Sequence, residues 1–327
     1  MKRLLYIACL VLIAGCTSRP KIEMTIHTCS PMPAPRASAA VAVIDSTAYL
    51  FGGRDQTGKA LNDLWRYDAR TDTWTPCGTT PLSPRINPAA CSLDGKLYLG
   101  LGFYGRHSQD SSYLRDWWQY DPKTDTWTQL ADYPNHYTDR AVCFTEADRL
   151  LVGYGFCWNY RRDMFCYHVA ENRWDSIDVG ASFHGFPTRS FGGTGCTCNG
   201  HHYYGTGYYG GSLDWWGELH ADASGKTGRW SACTDVPGPG RTLAASAATK
   251  RYVYLFGGLH YGGVNTTQQS LQDIRRYDPE QDQWTWVGNM PTTLMNHCSF
   301  AIGNRIYFGL GETIDEEIQD KLYYIEE

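Results

Sequence analysis

The sequence predicts an all-β fold assembled from six repeats in a radial or stacked array. Two observations carry this expectation. An apolar run ending in glycines recurs six times at a spacing near fifty residues. Between these runs lies a segment with aspartate, tyrosine and tryptophan in fixed order. Self-similarity at such a period marks repeat architectures, in which each unit buries its apolar face against the next. Composition agrees: 14% aromatic residues and 34 glycines in 327 residues lean towards strands and turns. With 42% hydrophobic and 19% charged residues the chain is globular rather than disordered.

The glycine landmarks are AYLFGG (48–53), LYLGLG (97–102), LLVGYG (150–155), HYYGTG (202–207), VYLFGG (253–258) and IYFGLG (306–311). Their last glycines follow one another at intervals of 49, 53, 52, 51 and 53 residues. Glycine lets the backbone turn there where a Cβ would not fit.

The aromatic segments are LNDLWRYDARTDTW (61–74), YLRDWWQYDPKTDTW (113–127), YRRDMFCYHVAENRW (160–174) and LQDIRRYDPEQDQW (271–284). Weaker copies are SLDWWGELH (212–220) and IQDKLYYIEE (318–327). Asp63, Asp116, Asp163, Asp214, Asp273 and Asp320 recur in them. Tyrosine follows four residues later in five copies, and Glu218 takes its place in the fourth. Trp74, Trp127, Trp174 and Trp284 come seven residues after the tyrosine. Taken alone, 113–127 has the aromatic and acidic content of a sugar site. Its recurrence in register makes Asp116, Tyr120 and Trp127 framework positions, with a turn at 121–125.

Glycine pair, tyrosine and tryptophan in this order resemble the kelch repeat. The resemblance implies a six-bladed β-propeller, each blade a four-stranded antiparallel sheet. The small residues before each landmark, such as Ala39, Ala40 and Ala42 or Gly192, Gly193 and Gly195, then belong to innermost strands converging on one axis, where large side chains would clash. The sixth copy reaches Glu327 with no fourth strand. EMTIHTCSPMPAPR (23–36) aligns with the repeat end DTWTPCGTTPLSPR (72–85). Residues 22–29 are therefore expected to supply the outer strand of blade six and close the ring, covering edges that would otherwise be exposed.

Ahead of the repeats, Lys2 and Arg3 precede an apolar run, Leu4 to Ile13, too short to span a bilayer. Ile13-Ala14-Gly15-Cys16 resembles the bacterial lipobox. This implies a signal peptide (1–15), lipidation at Cys16, a tether (16–21) and one propeller domain (22–327). The expected location is the outer membrane of a bacterium, facing the periplasm.

Two loop sets at one end of the axis are the candidate site. One carries Arg36, Arg85, Arg140, Arg189 and Arg241, with Asn296-His297 in blade six. Guanidinium suits carboxylates, although arginine after a proline turn is also common kelch framework. The other set differs from blade to blade and holds Tyr104, Arg106, His107, Trp158, Tyr160, Tyr208, Tyr209, His260, Tyr261 and Glu312. Aromatic faces beside polar groups suit a sugar ring. Cys157 and Cys166 flank one hairpin and are a candidate disulfide. Cys91, Cys143, Cys196, Cys198 and Cys298 read as small apolar fillers of inner strands.

The chain also resembles the bacterial kelch N-acetylneuraminate epimerases (mutarotases). The family uses a glutamate and an arginine in a loop after a glycine-ended second strand. Glu312 follows Gly311 in a comparable kind of position, but in blade six; no arginine follows it in that loop, and the fourth blade, where the family places the pair, reads GTGYYGG. Three readings stand: a carbohydrate-binding lipoprotein on its top face, a sugar epimerase with Glu312 catalytic, and a protein-interaction scaffold. A resemblance to galactose oxidase would require a copper site and a seventh blade. No metal motif, phosphate loop, nucleotide fingerprint or Ser/His/Asp elbow is present, so no cofactor is expected. The net charge of −5 gives no reason to expect nucleic acid. The expected partners are a carbohydrate or a protein, with the membrane reached through the lipid; the expected state is a monomer.

Overall fold

The computed structural model describes residues 23–105, 112–134, 138–157, 159–160, 163–180, 190–263 and 266–327. It is a six-bladed β-propeller with six four-stranded antiparallel sheets. Blade one comprises Ala40–Ile44, Thr47–Phe51, Leu64–Asp68 and Thr73–Pro76, ordered from the axis outwards. Blades two to five repeat this order from inner strands Ala89–Leu93, Val142–Thr145, Thr194–Cys198 and Ala245–Ala248. In blade six Cys298–Ile302, Arg305–Gly309 and Leu322–Glu326 are joined by His27–Thr28 from the N-terminal side. The predicted closure is therefore present. His27 stacks on Tyr324 at 4.7 Å, and Cys29 N–H donates to Leu322 O at 2.9 Å.

The recurring tyrosine and tryptophan oppose each other across the two outer strands of a blade. Their ring centroids lie 4.7–5.0 Å apart in blades one, two, three and five. The tyrosine hydroxyl donates to the turn residue five positions on: Asp72, Asp125, Asn172 or Asp282. That residue has a left-handed φ of 48–53°, which Asn and Asp tolerate best after glycine. Three of these side chains also accept an N–H from the preceding blade: Ser30 to Asp72, Ala131 to Asn172 and Thr234 to Asp282. The tryptophan indole N–H answers by donating to a carbonyl of that same neighbour: Ser30, Ala131 or Thr234. One motif thus fills a blade and stitches it to the next.

Blades four and six depart from the register read in the sequence. Leu219 pairs with Trp230, and Ile325 takes the corresponding place in blade six. Glu218 and Tyr324 are each one residue off and so face the other side of their sheets. Asp214 and Asp320 are displaced in the same way, preceding Trp216 and Leu322 by two residues, whereas Asp63 precedes Leu64 by one.

Cys91 and Cys143 form a disulfide between the inner strands of blades two and three, with Cα atoms 6.0 Å apart. This corrects the filler reading. Neighbouring inner strands run side by side at the axis and carry small residues, so two Cβ atoms come within bridging reach. Of the expected Cys157–Cys166 pair, the Cys157 side chain lies outside the described residues. Cys166 is a free buried thiol pushed up to about 11 by burial. It pairs in register with Leu151 and Asp175, while Cys157 pairs with Asn159 in a separate two-stranded ladder.

Candidate functional site

The two loop sets meet at one end of the axis through a repeated bridge. Ala37 pairs with Arg54, Ile86 with Phe103, Asp139 with Phe156, Phe191 with Tyr208, Thr242 with Leu259 and Met295 with Glu312. The next residue of each first partner, Ser38, Asn87, Arg140, Gly192, Leu243 or Asn296, has φ between 50° and 64°. Five of these six are not glycine, so the conformation is costly and must be held by its surroundings. A ring of backbone hydrogen bonds holds it. Ser38, Asn87, Arg140, Leu243 and Asn296 each donate N–H to the equivalent carbonyl of the preceding blade, at 2.8–3.2 Å. These residues form a collar around the axis and line the mouth of a cavity of about 290 Å³.

The repeated arginines are not at this collar. Arg36, Arg85 and Arg241 are fully buried, each bidentate to the framework aspartate of its own blade: Asp63, Asp116 or Asp273. Each also donates to a carbonyl at the end of the second strand: Gly52, Leu101 or Gly257. Burial alone would raise the Asp63 and Asp273 carboxyls, but the Arg36 and Arg241 hydrogen bonds and charges outweigh it and hold both below the usual range. These three arginines therefore brace the blades and are withdrawn as ligand contacts. A buried guanidinium is retained only where paired.

Arg140 is different because it stands two residues later, at the collar itself. Thr138 occupies the bracing position in blade three, as Ser190 and Leu294 do in blades four and six. Arg140 donates to Asp139 Oδ2 at 2.7 Å and lies over the Phe191 ring at 4.6 Å. Asn87 donates to the same Asp139 oxygen at 3.0 Å. On the far side of the axis, Glu312 is 3% exposed and pairs with Arg54 of blade one. Asn296 donates to its other oxygen at 2.7 Å. Glu312 thus meets an arginine of blade one across the seam between blades six and one. Sequence reading missed Arg54, Asn87 and Asp139. The available signal was Arg54 and Glu312 occupying the same position after the glycine landmark in two blades that closure makes neighbours.

Of the aromatic candidates, Tyr104 and Tyr209 are exposed, at 46% and 53%. Tyr208 and Tyr261 pack together at 5.6 Å. His260 Nδ1 donates to Gly240 O, which assigns that ring a framework role. His297 is buried and lines the cavity. Arg106, His107, Trp158 and Arg189, together with Cys16, the signal peptide and the tether, lie outside the described residues. Among the described residues no group of three or more His, Cys, Asp or Glu is gathered for a metal ion.

Residues 16–211 match the family model described as KLHDC2/KLHL20/DRC7 Kelch-repeats domain, and residues 240–291 match the Kelch motif. The chain is 24% identical to Kelch-like protein 25 of Xenopus tropicalis over 287 residues, 84% of this chain and 37% of that protein. It spans between about a third and a half of the length of the first such relatives. It is 34% identical to N-acetylneuraminate epimerase of Yersinia enterocolitica over 121 residues, 34% of this chain and 30% of that protein. A solved structure described as "Structure of YjhT" superposes with a TM-score of 0.73 over 90% of this chain and 95% of that one, at 16% identity. That likeness concerns the fold.

Proposed function

Taking as premise that this chain belongs to the kelch-repeat family, we propose that it binds a sugar at the collar of the propeller. One observation carries this. Asn87, Arg140 and Asn296 line the axial cavity, and behind them two buried carboxylates anchor planar polar networks, Asn87–Asp139–Arg140 and Asn296–Glu312–Arg54. Such groups offer paired donors and acceptors at fixed angles, which is what vicinal hydroxyls require. Each network pairs one cation with one anion, so the mouth suits a neutral or singly charged sugar. The outward Tyr104 and Tyr209 add apolar faces around it. The proposal includes export and lipidation at Cys16; a Cys16→Ala variant that still partitions with membranes argues against the anchor.

The test is calorimetric titration with glucose, galacturonate and N-acetylneuraminate. At least one binds, and Arg54→Ala and Arg140→Ala each weaken it about tenfold, as loss of a charge-assisted hydrogen bond does. Absence of binding by all three refutes the reading and leaves a protein-partner surface in its place.

The Glu312–Arg54 pair favours a second reading, a sugar epimerase of the kind named among the relatives. Glu312 would accept the anomeric hydroxyl proton as the ring C–O bond breaks and water gives a proton to the ring oxygen; rotation about the bond to the new carbonyl and reclosure, in which Glu312 returns its proton to the carbonyl oxygen and the ring hydroxyl's proton goes back to water, give the other anomer. Arg54 and Asn296 fix the orientation of the carboxylate. NMR exchange spectroscopy on N-acetylneuraminate decides it: exchange at the uncatalysed rate in the presence of protein removes this reading.

A further inference from the structure

The wall of the axial cavity below the collar is not uniform. At the level after the collar the blades present Ala39, Pro88, Ala141, Gly193, Ala244 and His297. Five are small or apolar, and the sixth is an imidazole. Two residues further along the same strand, Ser299 also lines the cavity. Among the described residues neither ring nitrogen of His297 has a hydrogen-bond partner, and neither does Ser299 Oγ. By contrast, Ser246 in blade five is paired with Thr194 at 2.8 Å. Three polar atoms of blade six therefore face the wall without a protein partner among the described residues. Nothing in the repeat demands an imidazole here.

We propose that the axial cavity receives a hydroxylated arm of the ligand, an open-chain polyol, bound by His297 and Ser299. The proposal rests on the sugar reading for the part of the ligand outside the collar. It does not rest on it for the arm.

The chemistry selects the class. Burial holds the imidazole pKa down at about 3, so the ring is neutral at ordinary pH, with one N–H donor and one bare acceptor nitrogen. An alcohol is both donor and acceptor and complements both ring nitrogens and the serine hydroxyl. A carboxylate offers no proton to the bare nitrogen, and an ammonium offers no acceptor to the N–H. A half-turn about the Cβ–Cγ bond exchanges each nitrogen with a ring carbon, so either edge of the ring can be offered to the cavity. The volume of about 290 Å³ is far above the roughly 10–15 Å³ that one water needs.

The test uses xylitol as the probe and the purified full chain labelled with ¹⁵N at histidine. Xylitol is expected to shift the His297 ring nitrogen resonances saturably. His297→Phe, which keeps the ring volume, weakens xylitol binding about tenfold or more, and Ser299→Ala weakens it severalfold. Unmoved His297 resonances overturn the proposal and leave water alone in the cavity. Xylitol binding unchanged in both variants overturns it as well. If a sugar binds at the collar while xylitol leaves His297 unmoved, the sugar reading stands and the cavity inference falls. If xylitol binds through His297 and none of the three sugars binds, the reverse holds.

Discussion

Replacing Asp116 with alanine separates bracing from ligand recognition in the arginine ring. Arg85 is 0% exposed and makes two bonds to Asp116, at 2.8 and 2.9 Å. Its remaining bonds go to the Ser83 and Leu101 carbonyls. In Asp116→Ala the guanidinium stays buried with only neutral acceptors. Breaking a buried pair from one side costs about 3–5 kcal/mol. The Asp116 side chain is 24% exposed, so water reaches the gap and the lower end applies. About 3 kcal/mol lowers the melting temperature of a domain this large by roughly 5 °C. Scanning calorimetry measures it, with Arg85→Met/Asp116→Leu as the partner experiment. The double variant strands no charge and is expected to melt above the single one. Sugar affinity at the collar should change less than twofold in Asp116→Ala. A variant that melts with the parent yet loses sugar binding would refute the bracing role and return Arg85 to the ligand site.

Three further outcomes follow from the same geometry. The His297 pKa falls from 6.5 to about 3 on folding, so the unfolded chain binds a proton first and stability declines as pH drops from about 6.5 towards 3. In His297→Phe this limb of a urea-denaturation pH profile flattens, while the loss below about pH 4 from Asp63 and Asp273 remains. Deleting residues 23–30 removes bonds from Met24 and Cys29 N–H to Val287 and Leu322, and those linking Ser30 to Asp72 and Trp74. At about 1 kcal/mol each this costs roughly 4 kcal/mol, and unchanged denaturant stability would show that the ring closes by other contacts. The Cys91–Cys143 bridge spans 52 residues, a loop whose closure contributes about 4 kcal/mol in the chain-entropy model. Cys91→Ala/Cys143→Ala is expected to lose most of that by denaturant titration, and retained stability would argue against the bridge.

The repeat is written in the amino acids themselves: six blades, their tyrosine–tryptophan pairs and the closing N-terminal strand. These are legible because each depends on contacts repeated at a fixed spacing, and repetition makes a local pattern visible. The departures were not legible in the same way. A one-residue slip in blades four and six leaves the letters almost unchanged while turning side chains to the opposite face. Arg140 looks like a member of the arginine series until the bridge between Asp139 and Phe156 places it at the collar. Arg54 and Glu312 are 258 positions apart, and only closure of the ring makes them neighbours. The candidate site needed the tertiary structure because its residues come from different blades, at positions where the blades differ. The repeat pattern records where they agree.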